Sequence, residues 1–96
     1  MKERLYLITL YDLYGELFTD KQKAYFEEYY FNNLSLSEMS ELYDVSRSAI
    51  SKSLKEIENK LNNFEDKLKI YNKLNKVNKL IKDDKLKDKI EDIFKD

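Results

Sequence analysis

Hydrophobic side chains recur at helical spacing along nearly the whole chain. Between Leu5 and Phe18, two neighbouring apolar rows advance in steps of four, three and four residues, which predicts a helix with a wide apolar face. The rows are Tyr6, Leu10, Leu13 and Leu17, and Leu7, Tyr11, Tyr14 and Phe18. A second helix is predicted to begin at Thr19, which has the spacing of a capping box with Gln22, and to end at Asn32 and Asn33.

The second predicted helix carries a cluster of aromatic side chains. They are Tyr25, Phe26, Tyr29, Tyr30 and Phe31. Such rings could form a platform on which bases stack. Packing against the first helix is the favoured interpretation, because a small domain has few other large side chains to bury.

The pattern of residues 35–58 predicts a helix-turn-helix. Ser35 and Glu38 have capping-box spacing and predict the start of a short helix, in which Leu36, Met39 and Tyr43 share one face. Asp44 suits the left-handed backbone of the turn, since Asp tolerates that conformation better than most residues. Val45 is then predicted to fill the corner, and Ser46 to cap the second helix.

The second helix of this motif has the pattern of a recognition helix. It buries Ile50, Leu54 and Ile57 and leaves a polar outer face that would enter a major groove. The candidate DNA-binding residues are Ser46, Arg47, Ser48, Ser51, Lys52 and Lys55. Arg47 and Lys52 would contact base edges or phosphates, and Ser46 and Ser48 would bind phosphate near the helix N-terminus.

Apolar residues continue beyond the motif in alternating steps of four and three, to Tyr71 in one row and to Ile81 in another. An unbroken helix from Arg47 to Ile81 would be roughly 50 Å long. Three interpretations remain open: a seam between two chains, which would give a homodimer through the long helix and is favoured; a seam within one chain; and a break near residues 62–63. A short terminal helix, capped by Asp83 or Asp84, would carry Leu86, Ile90, Ile93 and Phe94.

Composition predicts one all-α domain without enzymatic activity. The 96 residues include no proline and a single glycine, and they divide into the motif at 35–58 and a lysine-rich helical extension at 59–96. The chain has no cysteine or histidine, so disulfides, the usual zinc sites and histidine-dependent nucleophiles are excluded. Neighbouring acids such as Glu65 and Asp66 point about 100° apart on a helix and are interpreted as solvated charges. We therefore expect no catalytic site, metal or cofactor.

Charge is distributed unevenly along the chain. Residues 35–58 contain 3 basic and 5 acidic side chains, whereas residues 59–96 contain 11 basic and 8 acidic ones. Six lysines occur between Asp66 and Asp83 with no acid among them: Lys67, Lys69, Lys73, Lys76, Lys79 and Lys82. They could bind RNA, DNA or an acidic protein surface, although an ordinary solvated helix face is the favoured interpretation.

The chain carries no pattern typical of export or membrane insertion. The apolar run from Leu5 to Leu13 resembles a signal sequence, but Asp12 and Glu16 interrupt it and no small-residue cleavage site follows. No other stretch approaches the roughly 20 apolar residues of a membrane span. We expect a cytoplasmic protein.

Several short segments, in order and spacing over residues 5–75, resemble the YlxM family of small bacterial helix-turn-helix proteins. They are residues 19–22, the Tyr29-Tyr30 pair, and residues 34–38, 45–50 and 64–68. The resemblance implies a fold like region four of sigma factors and a regulatory or accessory role in the signal recognition particle pathway. Two functions follow as hypotheses: a DNA-binding regulator, or a protein-interaction module that binds the particle's GTPase or its RNA-containing assembly.

Overall fold

The computed structural model describes the backbone of residues 2–95 and the side chains of residues 3–94, and all regular secondary structure in this part of the chain is helical. The helices are α1 (Lys2–Tyr14), a short 3-10 turn (Gly15–Leu17), α2 (Asp20–Tyr30), α3 (Leu36–Tyr43), α4 (Arg47–Leu68), α5 (Ile70–Leu80) and α6 (Asp84–Lys95). The predicted all-α class is confirmed. None of these helices is long and apolar enough to cross a membrane.

The first helix ends four residues earlier than the hydrophobic pattern predicts. After Tyr14 the chain tightens into the 3-10 turn, and Phe18 becomes extended and packs into the core with 6% of its surface exposed. Leu17, predicted to continue an apolar row, is instead 60% exposed. A Cβ at Gly15 would lie 3.3 Å from the Tyr11 ring, so the turn packs closely on that ring.

Both predicted capping boxes are present. The Gln22 amide donates to the Thr19 hydroxyl at 3.2 Å, and the Thr19 amide donates to the Gln22 side chain at 3.0 Å. Ser35 and Glu38 repeat the arrangement at 3.1 and 3.0 Å at the start of α3. Each pair satisfies two amides that would otherwise lack a partner, which fixes where these helices begin.

The helices α1, α2 and α3 all pack on α4. Its regularly spaced apolar side chains Ile50, Leu54, Ile57 and Leu61 are at most 4% exposed and belong to a core within the single chain. From Ile50 to Leu61 the row is therefore a seam within one chain, as the intrachain alternative predicts, and not a seam between two chains. Further along the row, Phe64 and Tyr71 are half-buried and Leu68 is 46% exposed.

Most of the aromatic cluster is part of this core. Tyr25, Phe26 and Tyr30 are buried, and the Phe26 ring stacks between Tyr11 and Tyr30 with centroid distances of 4.1 and 4.4 Å. The favoured interpretation, packing in the core, is confirmed for these three side chains, whereas Tyr29 is half-buried and Phe31 is 44% exposed.

The long helix is broken at Lys69, which adopts a left-handed backbone with φ 54°. It is neither continuous to Ile81 nor interrupted near residues 62–63. The Glu65 carboxylate, one turn earlier, accepts hydrogen bonds from the amides of Tyr71 and Asn72, both at 3.1 Å, and so caps α5. Glu65 is only 7% exposed, so its interpretation as a solvated charge is wrong.

The terminal helix α6 packs on α5 and α1. The Asp83 carboxylate accepts hydrogen bonds from the amides of Lys85 at 2.9 Å and Leu86 at 3.4 Å and so caps the start of α6. Of the two predicted capping residues, Asp83 is therefore the one that the structure uses. The Asn78 side chain donates to the Glu91 carboxylate at 2.9 Å and joins α5 to α6.

Candidate nucleic-acid interface

A sharp left-handed turn joins α3 to α4. Asp44 has φ 54° and ψ 47°, and its amide donates to the Ser40 carbonyl. The Val45 amide donates to the same carbonyl at 3.2 Å, and the Ser40 hydroxyl donates to the Val45 carbonyl. Ser46 then caps α4 by accepting from the Ala49 amide at 3.1 Å. These local bonds turn the chain within three residues.

Buried side chains fix the orientation of α4 relative to α3. Met39 on α3 and Ile50 on α4 are fully buried, and Val45 is half-buried at the corner between them. The Tyr43 ring lies 4.7 Å from the Tyr25 ring, which joins α3 to α2. The predicted helix-turn-helix geometry is therefore held by packing on its inner side, while its outer side faces solvent.

The six predicted DNA-binding residues lie together on the outer side of the first nine residues of α4 and at its cap. Five of them are exposed: Ser46, Arg47, Ser48, Lys52 and Lys55. Ser51 is half-buried, beside a cleft that it lines together with Tyr29 and Lys55. From Arg47 to Lys55 the helix rises by about 12 Å, which is close to the width of a major groove.

The N-terminus of α4 concentrates donors suited to an anion. The Ser46 and Ser48 hydroxyls lie 3.2 Å apart, and the Arg47 guanidinium donates to the Ser37 hydroxyl of α3 at 3.3 Å. The first amides of a helix lack carbonyl partners and carry partial positive charge, so a phosphate is stabilised at such an end. The sequence analysis did not identify Ser37 as part of this site. Its position next to Glu38, in the first turn of α3, was a signal that could have predicted an outward-facing side chain.

Two of the motif's five acids are engaged in internal hydrogen bonds. Hydrogen bonds from the Ser35 amide and hydroxyl lower the pKa of Glu38. Glu58 accepts from the Tyr30 hydroxyl at 2.8 Å, and burial together with this bond raises the pKa of Tyr30. Glu41, Asp44 and Glu56 remain exposed. The motif thus also presents exposed acids, of which Glu56 follows Lys52 by about one turn of α4.

The candidate interface contains three cations, Arg47, Lys52 and Lys55. Among the side chains that the structure describes, the ion pair within 4 Å joins Lys23 to Glu16, away from α4. Arg47, Lys52 and Lys55 therefore lack a carboxylate partner in this set and can contact an external anion. The described residues also contain no cluster of three or more acidic side chains able to hold a metal ion.

Comparison with known proteins gives consistent relatives. A family model described as "Putative helix-turn-helix protein, YlxM / p13 like" (UPF0122) matches residues 1–95. A UPF0122 protein of Thermoanaerobacter sp. (strain X514) is 48% identical over 82 residues, covering 78% of this chain and 70% of the relative. A UPF0122 protein of Ureaplasma urealyticum serovar 10 is 47% identical over 94 residues, covering 95% of each chain. The similarity spans the helix-turn-helix and the helices on both sides of it.

Proposed function

We propose that this chain, which belongs to the UPF0122 family of YlxM / p13-like helix-turn-helix proteins, is a DNA-binding regulatory protein of the cytoplasm. One observation carries the proposal. The first turns of α4 bury Ile50 and Leu54 and expose a polar stripe directly after a left-handed turn. Recognition helices of helix-turn-helix proteins present their N-terminal residues to base edges in this way.

In this proposal the N-terminal half of α4 enters the major groove. Arg47 releases the Ser37 hydroxyl and, with Lys52, contacts base edges or phosphates. Ser46 and Ser48 donate to a phosphate at the helix end, where the free amides add to the attraction. Lys55 contributes charge one turn further along.

The experiment is a comparison of duplex binding by two charge-matched double variants. Duplexes selected by the wild-type protein from a random library serve as probes, and fluorescence anisotropy gives the dissociation constant. Arg47→Ala/Lys52→Ala is expected to weaken binding by roughly 1 to 3 kcal/mol for each residue that makes a good base-edge contact. The control, Lys85→Ala/Lys89→Ala on α6, removes the same charge and should leave the constant within about twofold of wild type.

Two results would oppose the proposal. One is equal binding by the Arg47/Lys52 variant and the wild type. The other is a failure of the wild-type protein to select any duplex at low salt, where phosphate contacts are strongest.

A second candidate function is an accessory module that binds the signal recognition particle GTPase or its RNA-containing particle. The observation that favours it is the separation of charge, with exposed acids in the motif and, between residues 67 and 82, lysines that form no ion pair with any carboxylate of residues 3–94. Pull-down with purified particle components tests it. Retention of a component by both wild type and the Arg47/Lys52 variant would support this candidate, and no retention by either would reject it.

A further inference from the structure

Three lysines of α5 form a single cationic stripe on the solvent side of that helix. Lys73, Lys76 and Lys79 are all exposed, and a helix of 3.6 residues per turn places them within a sector of about 120°. The opposite side of α5 is turned inward, with Leu74 only 6% exposed. We call Lys73, Lys76 and Lys79 the lysine face.

The lysine face is positively charged, and its own helix supplies no acid to offset that charge. The helix α5 contains no Asp or Glu, and three further exposed lysines flank it, at positions 67, 69 and 82. Within the described side chains, none of these six lysines lies within 4 Å of a carboxylate. Asn72 and Asn75, also exposed, add neutral donors beside the stripe. The surface therefore offers an array of cations and amides to an anionic partner.

The start of α5, and with it the lysine face, is held in a fixed position. Glu65 of α4 binds the first amides of α5, and the Tyr14 hydroxyl of α1 donates to Glu65 at 2.6 Å while accepting from the Ile70 amide at 3.2 Å. The Tyr71 ring also packs edge-on against Tyr6 of α1, with centroids 5.5 Å apart. The lysines are displayed by a packed element and not by a loose tail.

The helix that carries the lysine face begins after the C-terminal end of α4, whereas Arg47 lies at its N-terminal end. The 22 residues of α4 separate Arg47 from the start of α5, a rise of about 33 Å. The major groove is only about 12 Å wide. The start of α5 is therefore farther from Arg47 along α4 than the width of one groove.

We propose that the lysine face is a second nucleic-acid-binding surface, which contacts the phosphate backbone through charge and without reading sequence. This inference depends on the proposed function in one respect, which is the choice of nucleic acid as the class of partner. Protein–DNA interfaces are strongly positive, whereas lysine is depleted in the interfaces between proteins, so a phosphate backbone fits this surface better than an acidic protein. Lysine acts on phosphate as a point charge, which gives affinity without base specificity.

The test measures the salt dependence of binding to one mixed-sequence duplex of about 24 base pairs. Each phosphate contact contributes about 0.9 to the slope of log affinity against log salt. Lys73→Gln/Lys76→Gln/Lys79→Gln is expected to reduce that slope by up to about 2.7 and the affinity by roughly tenfold or more at 100 mM salt. The matched control, Lys60→Gln/Lys85→Gln/Lys89→Gln, removes three exposed lysines from α4 and α6 and should keep the wild-type slope.

Including Arg47→Ala/Lys52→Ala separates this inference from the proposed function. If only the lysine-face variant loses duplex affinity, the inference is supported and DNA contact by α4 is opposed. If only the Arg47/Lys52 variant loses duplex affinity, DNA contact by α4 is supported and the inference is overturned. If the lysine-face variant and its control change the slope equally, the inference is overturned, provided that circular dichroism shows both to be folded.

The same proteins tested on a polyglutamate chain identify the class of partner. The inference predicts that the duplex is bound more tightly than polyglutamate of equal charge. Polyglutamate bound as tightly as the duplex, with the same loss in the lysine-face variant, would show that the surface recognises acidic polymers in general and would overturn its assignment to nucleic acid.

Discussion

Three residues in the described part of the chain have a left-handed backbone, and none of them is glycine. Asn33, Asp44 and Lys69 have φ between 54° and 57°. Asp44 and Lys69 are the C-caps of α3 and α4, and Asn33 lies in the loop between α2 and α3. Asn and Asp adopt this conformation more readily than other residues with a side chain, because their short polar groups bond to the nearby backbone. The first two are therefore predictable from residue type, whereas the lysine is not.

The strain at Asp44 can be measured by substitution. Asp44→Gly should keep or increase stability, since glycine enters the left-handed region without steric cost, whereas Asp44→Val should destabilise the fold by about 1 to 2 kcal/mol. Urea unfolding followed by circular dichroism gives the free energies. Glu41→Val, at an exposed helical position of α3, is the control and should cost less than 1 kcal/mol. Equal stability of the Gly and Val variants would show that the turn is not strained.

At the scale of elements, the break between α4 and α5 decides the shape of the C-terminal half. The hydrophobic rhythm of the sequence passes through residue 69 without interruption, so local patterning favours one continuous helix. The folded chain instead buries Glu65 with three donors around its carboxylate. The hydrogen bonds made at the start of α5 offset the desolvation of the charge and the left-handed Lys69.

Removal of the Glu65 carboxylate should therefore weaken the whole fold. Glu65→Ala leaves the Tyr14 hydroxyl and two amides without their acceptor and is expected to cost about 1 to 3 kcal/mol of unfolding free energy. The exposed neighbour Asp66→Ala is the control and should change stability by at most about 0.5 kcal/mol. In a double-mutant cycle, Tyr14→Phe should cost less in the Glu65→Ala background than in the wild type. Strict additivity would contradict the bond between these two side chains.

At the scale of the whole molecule, tyrosine–glutamate hydrogen bonds join the helices around the core. Tyr11 of α1 donates to Glu27 of α2 at 2.7 Å. The other two pairs lead to α4, from Tyr14 to Glu65 and from Tyr30 to Glu58. Burial is the largest cause that raises the pKa of all three phenols, and the hydrogen bond to the carboxylate is the second largest. The pKa of Tyr14 is raised to about 12.

These raised pKa values predict a loss of stability in alkali. An unfolded tyrosine has a pKa of 10.0, so between pH 10 and the folded value the unfolded state releases protons that the folded state retains. Stability is thus full below about pH 10 and falls as the pH rises towards 12. Urea unfolding at several pH values gives the free energy of unfolding. The difference in this free energy between wild type and Tyr14→Phe should become smaller over this interval, because phenylalanine has no phenol to ionise at position 14. Parallel curves would contradict a raised pKa for Tyr14.

The sequence alone determined those features whose interactions lie within a few residues of one another. Both capping boxes, the turn at Asp44, the Ser46 cap and the inner face of α4 follow from spacing and residue type, and together they specify the helix-turn-helix. The polar stripe on α4 follows as well, since any residue turned away from the apolar row must face outward, with Ser51 as the partly covered exception.

Only the tertiary structure decided those helix ends that depend on contacts between residues far apart in the sequence. The hydroxyl of Tyr14 reaches Glu65 and Ile70 across more than 50 positions, and these bonds end α4 and orient the lysine face. The Arg47–Ser37 contact and the burial of the α4 row within one chain likewise depend on how the helices pack. Periodicity reports which side of a helix is apolar, but a partner for that side exists only once the chain has folded.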